Sequence, residues 1–182
     1  ALEDATKLDI VVFDKTGTLT LGEPRVVEIV VAADNTEDAV LALAATVEQG
    51  SDHPLAQAIQ SKAEGLTLEP LTGFTNIEGK GARADVGGKT VLLGNRRLLE
   101  EEKVDMADLK DEAARLQSAG QTVVHVAQDG KLVSLIAIAD APRPTAAAMV
   151  REMRARGVEV AMLTGDNQAT AERIARELGI GT

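Results

Sequence analysis

The hydrophobic pattern changes character three times along the chain. Leu8 to Phe13 (LDIVVF) is almost unbroken apolar, as expected of a strand buried on both faces of a parallel sheet. Arg25 to Ala32 reads as a second strand. Val40, Leu41, Ala44 and Val47 then fall at helical spacing behind Thr36, a good N-cap, with Glu37 and Asp38 suited to a first turn. Pro54 opens a second helix that carries Leu55, Ala58 and Ile59 on one face. From Leu71 to Gly94 glycines punctuate short β-prone runs, and Gly87-Gly88 marks a hairpin turn. Met106 to Ser118 reads as a helix ended by Gly120. Thr122 to Ala127 and Leu132 to Ala139 read as strands around Asp129-Gly130. The last third predicts a helix from Pro144 to Arg156, a strand from Val158 to Leu163, and a helix from Asn167 to Leu178 stopped by Gly179.

The two ends share one style, an apolar strand followed by a short polar loop and a helix. The middle is hairpins with helices. The simplest architecture is a doubly wound α/β domain made from both ends, into which an α+β domain near residues 23–137 is inserted. The sequence has no internal repeat and no low-complexity segment.

Composition narrows this further. A chain of 182 residues is long enough for one large core or two smaller ones. The net charge of −10 argues against nucleic acid or an anionic membrane surface as a partner. The absence of cysteine removes disulfides and thiolate metal sites, and fits a reducing compartment. With two Phe and neither Trp nor Tyr, stacking of a base on an aromatic platform is not expected. No apolar run reaches the roughly 18–20 residues that cross a bilayer, no signal peptide is visible, and both ends read as cut from something longer.

Chemistry concentrates where the strands end. In an open parallel sheet, ligands bind beyond the carboxyl ends of the strands. Asp14 stands there, at the start of "DKTGTLT", and so does Thr164 in "MLTGDN". For "TGDN" alone, helix capping is a sufficient explanation. It is not one for Asp, Lys and three Thr packed into a single loop. An aspartate carboxylate can attack phosphorus and form an acyl phosphate. Lys15 supplies positive charge, Gly17 lets backbone N–H groups approach an anion, and Thr16 and Thr164 supply hydroxyls. Asp14 also suits Mg2+, a hard cation that prefers oxygen. Two residues after Asp14 stands Thr16, where a carboxylate would activate water. An intermediate on Asp14 is therefore expected to persist.

"DKTGTLT" resembles the phosphorylation motif of P-type ATPases, within the haloacid-dehalogenase-like superfamily. "TGDN" (Thr164, Gly165, Asp166, Asn167) is similar to a second motif of that family, and "DAPRP" (Asp140 to Pro144) to the segment that re-enters the phosphorylation domain. "EQGSDHPLAQAI" (Glu48 to Ile59) resembles the Ser-Glu-His-Pro segment of the heavy-metal-transporting members, with Asp52 in place of Glu. "EGKGARA" resembles their Gly-x-Gly segment and "LLGNRRLL" their Gly-Asn segment. The resemblance implies a partial phosphorylation domain (residues 1–22 and 138–182) and a nucleotide-binding domain (23–137). It implies ATP and Mg2+ as cofactors, with Asp14 and Thr16 sharing in the magnesium site. Glu48 and His53 would lie around the adenine, Gly79 and Gly81 would let the backbone pass close to the nucleotide, and Gly94 and Asn95 would close the pocket. The implied parent is an integral membrane protein that carries this segment in the cytoplasm. Membrane and actuator domains of the same chain would be its partners, and a heavy-metal ion, copper foremost, its cargo. The family continues with a Gly-Asp-Gly-x-Asn-Asp motif and a lysine that lie beyond this sequence. The alternatives are a soluble phosphatase of the same superfamily and a nucleotide-binding module without catalysis.

Other motifs fare worse. "GKGARA" lacks the following helix that a dinucleotide fingerprint needs. "GGKT" has Arg83 where a phosphate-binding loop needs glycine. The run Glu100 to Glu102 reads as a solvated surface, and His125, mid-strand, as a packing residue.

Overall fold

The computed structural model describes residues 8–165 and 168–181; the side chain of Ala107 is outside the description. The chain forms two compact units. One comprises the stretches up to Glu23 and from Asp140 onward, the other Pro24–Ala139.

In the first unit, β1 (Ile10–Asp14) and β8 (Glu159–Leu163) pair in parallel, with Ile10 opposite Glu159 and Asp14 opposite Leu163. Helices α5 (Ala146–Ala155) and α6 (Gln168–Leu178) supply the rest of a small core. There Leu19, Val150, Val160, Ile174 and Leu178 are buried, with Phe13 and Met162 packed against them. β1 departs from the expected strand buried on both faces. Its side chains alternate, and Ile10 is 48% and Val12 57% exposed. The reason is topological: a two-stranded sheet with its helices on one face leaves the other face of both strands uncovered among the described residues. α5 begins two residues later than expected, because Pro144 and Thr145 form the turn that leads into it.

In the second unit a six-stranded sheet runs in the order β2 (Thr20–Val31), β7 (Lys131–Pro142), β6 (Thr122–Gln128), β5 (Lys89–Gly94), β4 (Gly81–Val86), β3 (Leu71–Ile77). Helices α1 (Glu37–Val47) and α2 (Pro54–Lys62) cover one face, where Leu41, Ile59, Ala84, Val124 and Ile136 meet. Helices α3 (Arg96–Glu101) and α4 (Lys110–Ser118) belong to the second core, with Leu92, Leu98, Leu116 and Leu135. The turns follow the sequence: Gly87-Gly88 closes β4 onto β5, and Asp129-Gly130 closes β6 onto β7, all four residues at positive φ.

Three elements differ from expectation. β2 starts at Thr20, before Pro24, because it lies at the sheet edge, where a residue without an N–H is tolerated. The helix expected from Met106 splits into a single tight turn, Ala107–Leu109, and α4, since Leu109 leaves helical geometry (φ −118°, ψ 10°). Helix α3 was unforeseen. Its six residues are too few for a periodic signal, but Asn95 caps it by accepting from Leu98 N–H at 3.1 Å.

Candidate functional site

Asp14 is the last residue of β1, exposed, and paired in register with Leu163. Leu163 leads directly into Thr164 and Gly165. The parallel pairing therefore brings two polar loops side by side at the carboxyl ends of adjacent strands. Asp166, expected to share this site, lies outside the described residues.

The loop Lys15–Leu19 turns sharply after Asp14. Thr16 is extended (φ −76°, ψ 123°) and Gly17 is left-handed (φ 74°). A side chain at Gly17 would meet nothing within 4 Å, so the requirement for glycine is conformational rather than spatial. Thr16, Gly17 and Thr18 are exposed, whereas Lys15, Leu19 and Thr20 are buried and anchor the loop.

What fixes this loop is a set of groups that sequence reasoning left without a role. The Thr20 hydroxyl donates to Asp140 Oδ2 at 2.5 Å and accepts from Gly17 N–H at 3.3 Å. The Lys15 carbonyl lies 3.1 Å from the same hydroxyl. Gly22 N–H donates to both Asp140 carboxylate oxygens at 3.1 and 3.2 Å. Arg143 donates to Gly17 O from its side chain and to Leu19 O from its backbone, both at 2.8 Å. Arg173 reaches the Asp140 carbonyl at 3.4 Å. The available signal was the Asp-x-x-Arg spacing in "DAPR": one acidic acceptor and one cationic donor just after a strand, able to clasp the two sides of a turn.

In the second unit, Glu48, His53, Gly79, Gly81, Gly94 and Asn95 all line one cleft of about 610 Å3. Six residues spread over about a quarter of the sequence thus share one wall system, built from the ends of α1 and α2 and the β3–β4 turn. Glu48 caps the C-terminus of α1, and Gln60 Nε2 holds its carbonyl. Burial raises the Glu48 carboxyl above its ordinary 4.5, and a hydrogen bond from Ser51 and the nearby His53 partly oppose this. His53 caps α2: its Nδ1 accepts from Leu55 N–H at 3.2 Å. That bond fixes the neutral tautomer and leaves Nε2–H as the ring donor for a ligand.

The glycines have separate reasons. Gly79 is left-handed (φ 67°) with open space around it. Gly81 and Gly94 face each other across β4 and β5. A Cβ on Gly81 would lie 2.1 Å from Leu93 O, and one on Gly94 2.2 Å from Lys80 O. Close packing of two strands already demands glycine at both places. Asn95 is a staple: Oδ1 caps α3, and Nδ2 donates to Gly79 O at 3.0 Å.

One of the two phenylalanines, Phe74, belongs to the cleft. It lines the cleft and is 48% exposed. It sits in an irregularity of the β3–β4 register between Thr72 and Thr75, and a bulge re-aims side chains in this way. Lys80 also lines the cleft and pairs with Glu101 at 2.6 Å.

Among the described residues no three His, Cys, Asp or Glu side chains cluster to hold a metal ion, and no helix is long and apolar enough to cross a membrane. An Mg2+ site needs less than such a cluster, because the ion keeps several waters and takes phosphate oxygens beside one or two carboxylates. The exposed Asp14 carboxylate fits that donor set.

The fold and this loop define a class. A family model of haloacid dehalogenase-like hydrolases matches residues 8–182, and the chain belongs to that family. Within it, the similarity is to heavy-metal P-type ATPases. The chain is 43% identical over 182 residues to the "Probable copper-exporting P-type ATPase V" of Mycobacterium tuberculosis, covering 98% of this chain and 24% of that protein. It thus spans about a quarter of the length of the curated relatives it matches. A zinc-transporting PIB-type ATPase crystallised in the E2.Pi state superposes with a TM-score of 0.86 at 41% identity, over 99% of this chain and 29% of the other. The N-domain of HMA6, a copper-transporting P-type ATPase, matches with a TM-score of 0.56 at 28% identity, over 64% of this chain and 99% of the domain.

Proposed function

We propose that this chain is the ATP-binding and phosphoryl-accepting segment of a heavy-metal-exporting P-type ATPase. The observation that carries the reading is Asp14: an exposed carboxylate at a parallel strand end, opening a clasped loop, with Thr16 two residues on. The residues up to Glu23 and from Asp140 would form the phosphorylation domain, and Pro24–Ala139 the nucleotide-binding domain. The HMA6 N-domain supports the second assignment, since it matches a share of the chain equal to that of Pro24–Ala139.

In this reading an Asp14 oxygen attacks the γ-phosphorus of ATP. The bond from that phosphorus to the β–γ bridging oxygen breaks, and ADP leaves with the electron pair. The positive charge of Lys15 and the backbone N–H groups around Gly17 offset charge on the transferred group. Asp14 and Thr16 would hold Mg2+, which neutralises phosphate charge when bound. Thr16 has no carboxylate with which to activate water, so the acyl phosphate lasts long enough to drive a conformational step. Thr164 and Gly165, beside Asp14 across the strand pair, would contact the phosphoryl oxygens. Glu48 and His53 would take the purine edge, Nε2–H of His53 donating to a ring nitrogen, and Phe74 offers its ring face. Gly79, Gly81, Gly94 and Asn95 shape the cleft wall.

The cargo ion would bind elsewhere in the parent. Copper is favoured, in line with the copper-exporting relative. The parent would be a membrane protein with this segment on the cytoplasmic side.

Titration of the chain with ATP, followed by amide NMR, tests the nucleotide site. Shifts are expected at Glu48, His53, residues 79–81 and Asn95, and His53→Ala is expected to weaken binding about tenfold. Absence of any response in the cleft at millimolar ATP would contradict the assignment.

A further inference from the structure

The cleft of the second unit is short of positive charge for a ligand that carries phosphates. Of the described residues that line it, Glu48, Asp52 and Glu78 are acidic, and besides His53 the one basic side chain is Lys80. Lys80 stands between Gly79 and Gly81 in the β3–β4 turn, and its backbone is pinned. Its N–H donates to Ile77 O at 3.0 Å, and its carbonyl accepts from Asn95 N–H at 2.8 Å. The root of the side chain is thus fixed at the cleft wall, while its four-carbon stem stays flexible. The ammonium rests against Glu101, the last residue of α3, with Nζ 2.6 Å from Oε2. The neighbours of Glu101 are engaged as well: Glu100 pairs with Arg96 at 2.6 Å and Glu102 with Arg83 at 3.5 Å. Neither arginine lines the cleft. The acidic run is exposed, as expected, yet each of its members holds a cation, and Glu101 holds the one that borders the nucleotide cleft.

We propose that Lys80 reads the phosphate chain of the bound nucleotide, and that Glu101 competes with the phosphates for it. The inference rests on the nucleotide reading of the cleft and adds the residue that counts phosphates. The Lys80 and Glu101 side chains are 30% and 50% exposed, so water screens their pair and it is weakly held. A triphosphate offers the same ammonium several anionic oxygens at once. A lysine ammonium is a point charge with rotatable donors, so it passes from one anion to another without a fixed geometry to satisfy. Each phosphate added to the nucleoside strengthens the rival to Glu101. Adenosine has no phosphate and gains nothing from the exchange. Lys80 thereby favours the longer phosphate chain, and Glu101 sets how large that preference is.

The test titrates adenosine, AMP, ADP and ATP into the chain, without Mg2+ and at fixed ionic strength, with amide NMR as the readout. The chain is compared with Lys80→Gln, Lys80→Arg and Glu101→Gln. The quantity of interest is the gain in affinity from adenosine to ATP. It should fall about fivefold in Lys80→Gln and rise about threefold in Glu101→Gln, with adenosine affinity unchanged in both. Lys80→Arg, which keeps the charge, should retain most of the gain. The two Gln variants delete the same ion pair. A pair that only braces the turn against α3 would therefore move both in the same direction, whereas competition moves them in opposite directions. Shifts of the same sign would overturn the proposal. So would an unchanged gain in Lys80→Gln while adenosine and ATP still bind, and that result would leave the nucleotide reading intact. Failure of all four ligands to bind the unaltered chain at millimolar concentration would overturn both.

Discussion

Asp140 shows how much of a site can rest on a residue that touches no reacting atom. Its carboxylate takes the Thr20 hydroxyl and the Gly22 N–H, and so holds the loop that carries Thr16 and Gly17 behind Asp14. Charge-assisted bonds to a buried hydroxyl leave an expensive orphan when one partner is removed. Asp140→Ala should therefore cost about 1–3 kcal/mol in the first unit, read by denaturant unfolding, and accelerate amide exchange at Gly17 and Gly22. Glu48 makes a different prediction. Its carboxyl is raised on folding, so the folded chain holds that proton more tightly than the unfolded one. The contribution of this group to stability is greatest below 4.5 and declines as pH rises from there through the raised folded value. Glu48→Gln should remove that decline: the variant gains on the parent as pH rises toward neutral, as melting temperatures across pH would record.

At the scale of elements, β4 and β5 are the tightest contact in the cleft wall. Gly81→Ala would drive a methyl into Leu93 O, and should cost at least about 1–3 kcal/mol in the second unit whether or not nucleotide is bound. A loss of ATP affinity at unchanged stability would instead favour a direct role for Gly81 at the ligand. Here the reading of the sequence met its limit. The glycine spacing was plain, but the neighbour that imposes it comes from a strand partner, and no local pattern carries a register. Turns at Gly87-Gly88 and Asp129-Gly130 were legible because their cause is local, two residues at positive φ between alternating runs. The exposed face of β1 was not legible, since an apolar run is the same whether two sheet faces are covered or one. The place of Phe74 in the cleft was not legible, because composition counts aromatic residues without placing them. The spacing in "DAPR" offered Asp140 and Arg143 as a pair, but not their partners at Gly17, Thr20 and Gly22, which lie more than a hundred residues away in sequence.

At the scale of the whole molecule, the two units have separate cores: one around Val150 and Ile174, the other on the two faces of the six-stranded sheet. The first is much the smaller, and its sheet leaves Ile10, Val12 and Leu163 exposed, the last at 67%. Calorimetry should resolve two transitions, the lower one belonging to the first unit. Asp140→Ala should move only the lower transition, and Gly81→Ala only the upper. A single transition shifted by both variants would contradict independent units. The central claim is covalent: the Asp14 carboxylate receives the γ-phosphoryl group of ATP. The direct measurement is labelling of the full-length parent with γ-phosphate-labelled ATP and Mg2+ in the presence of its metal. The account predicts an acid-stable, hydroxylamine-sensitive label that maps to Asp14 and vanishes in Asp14→Asn. Label absent from the native parent, or retained in the variant, would contradict it.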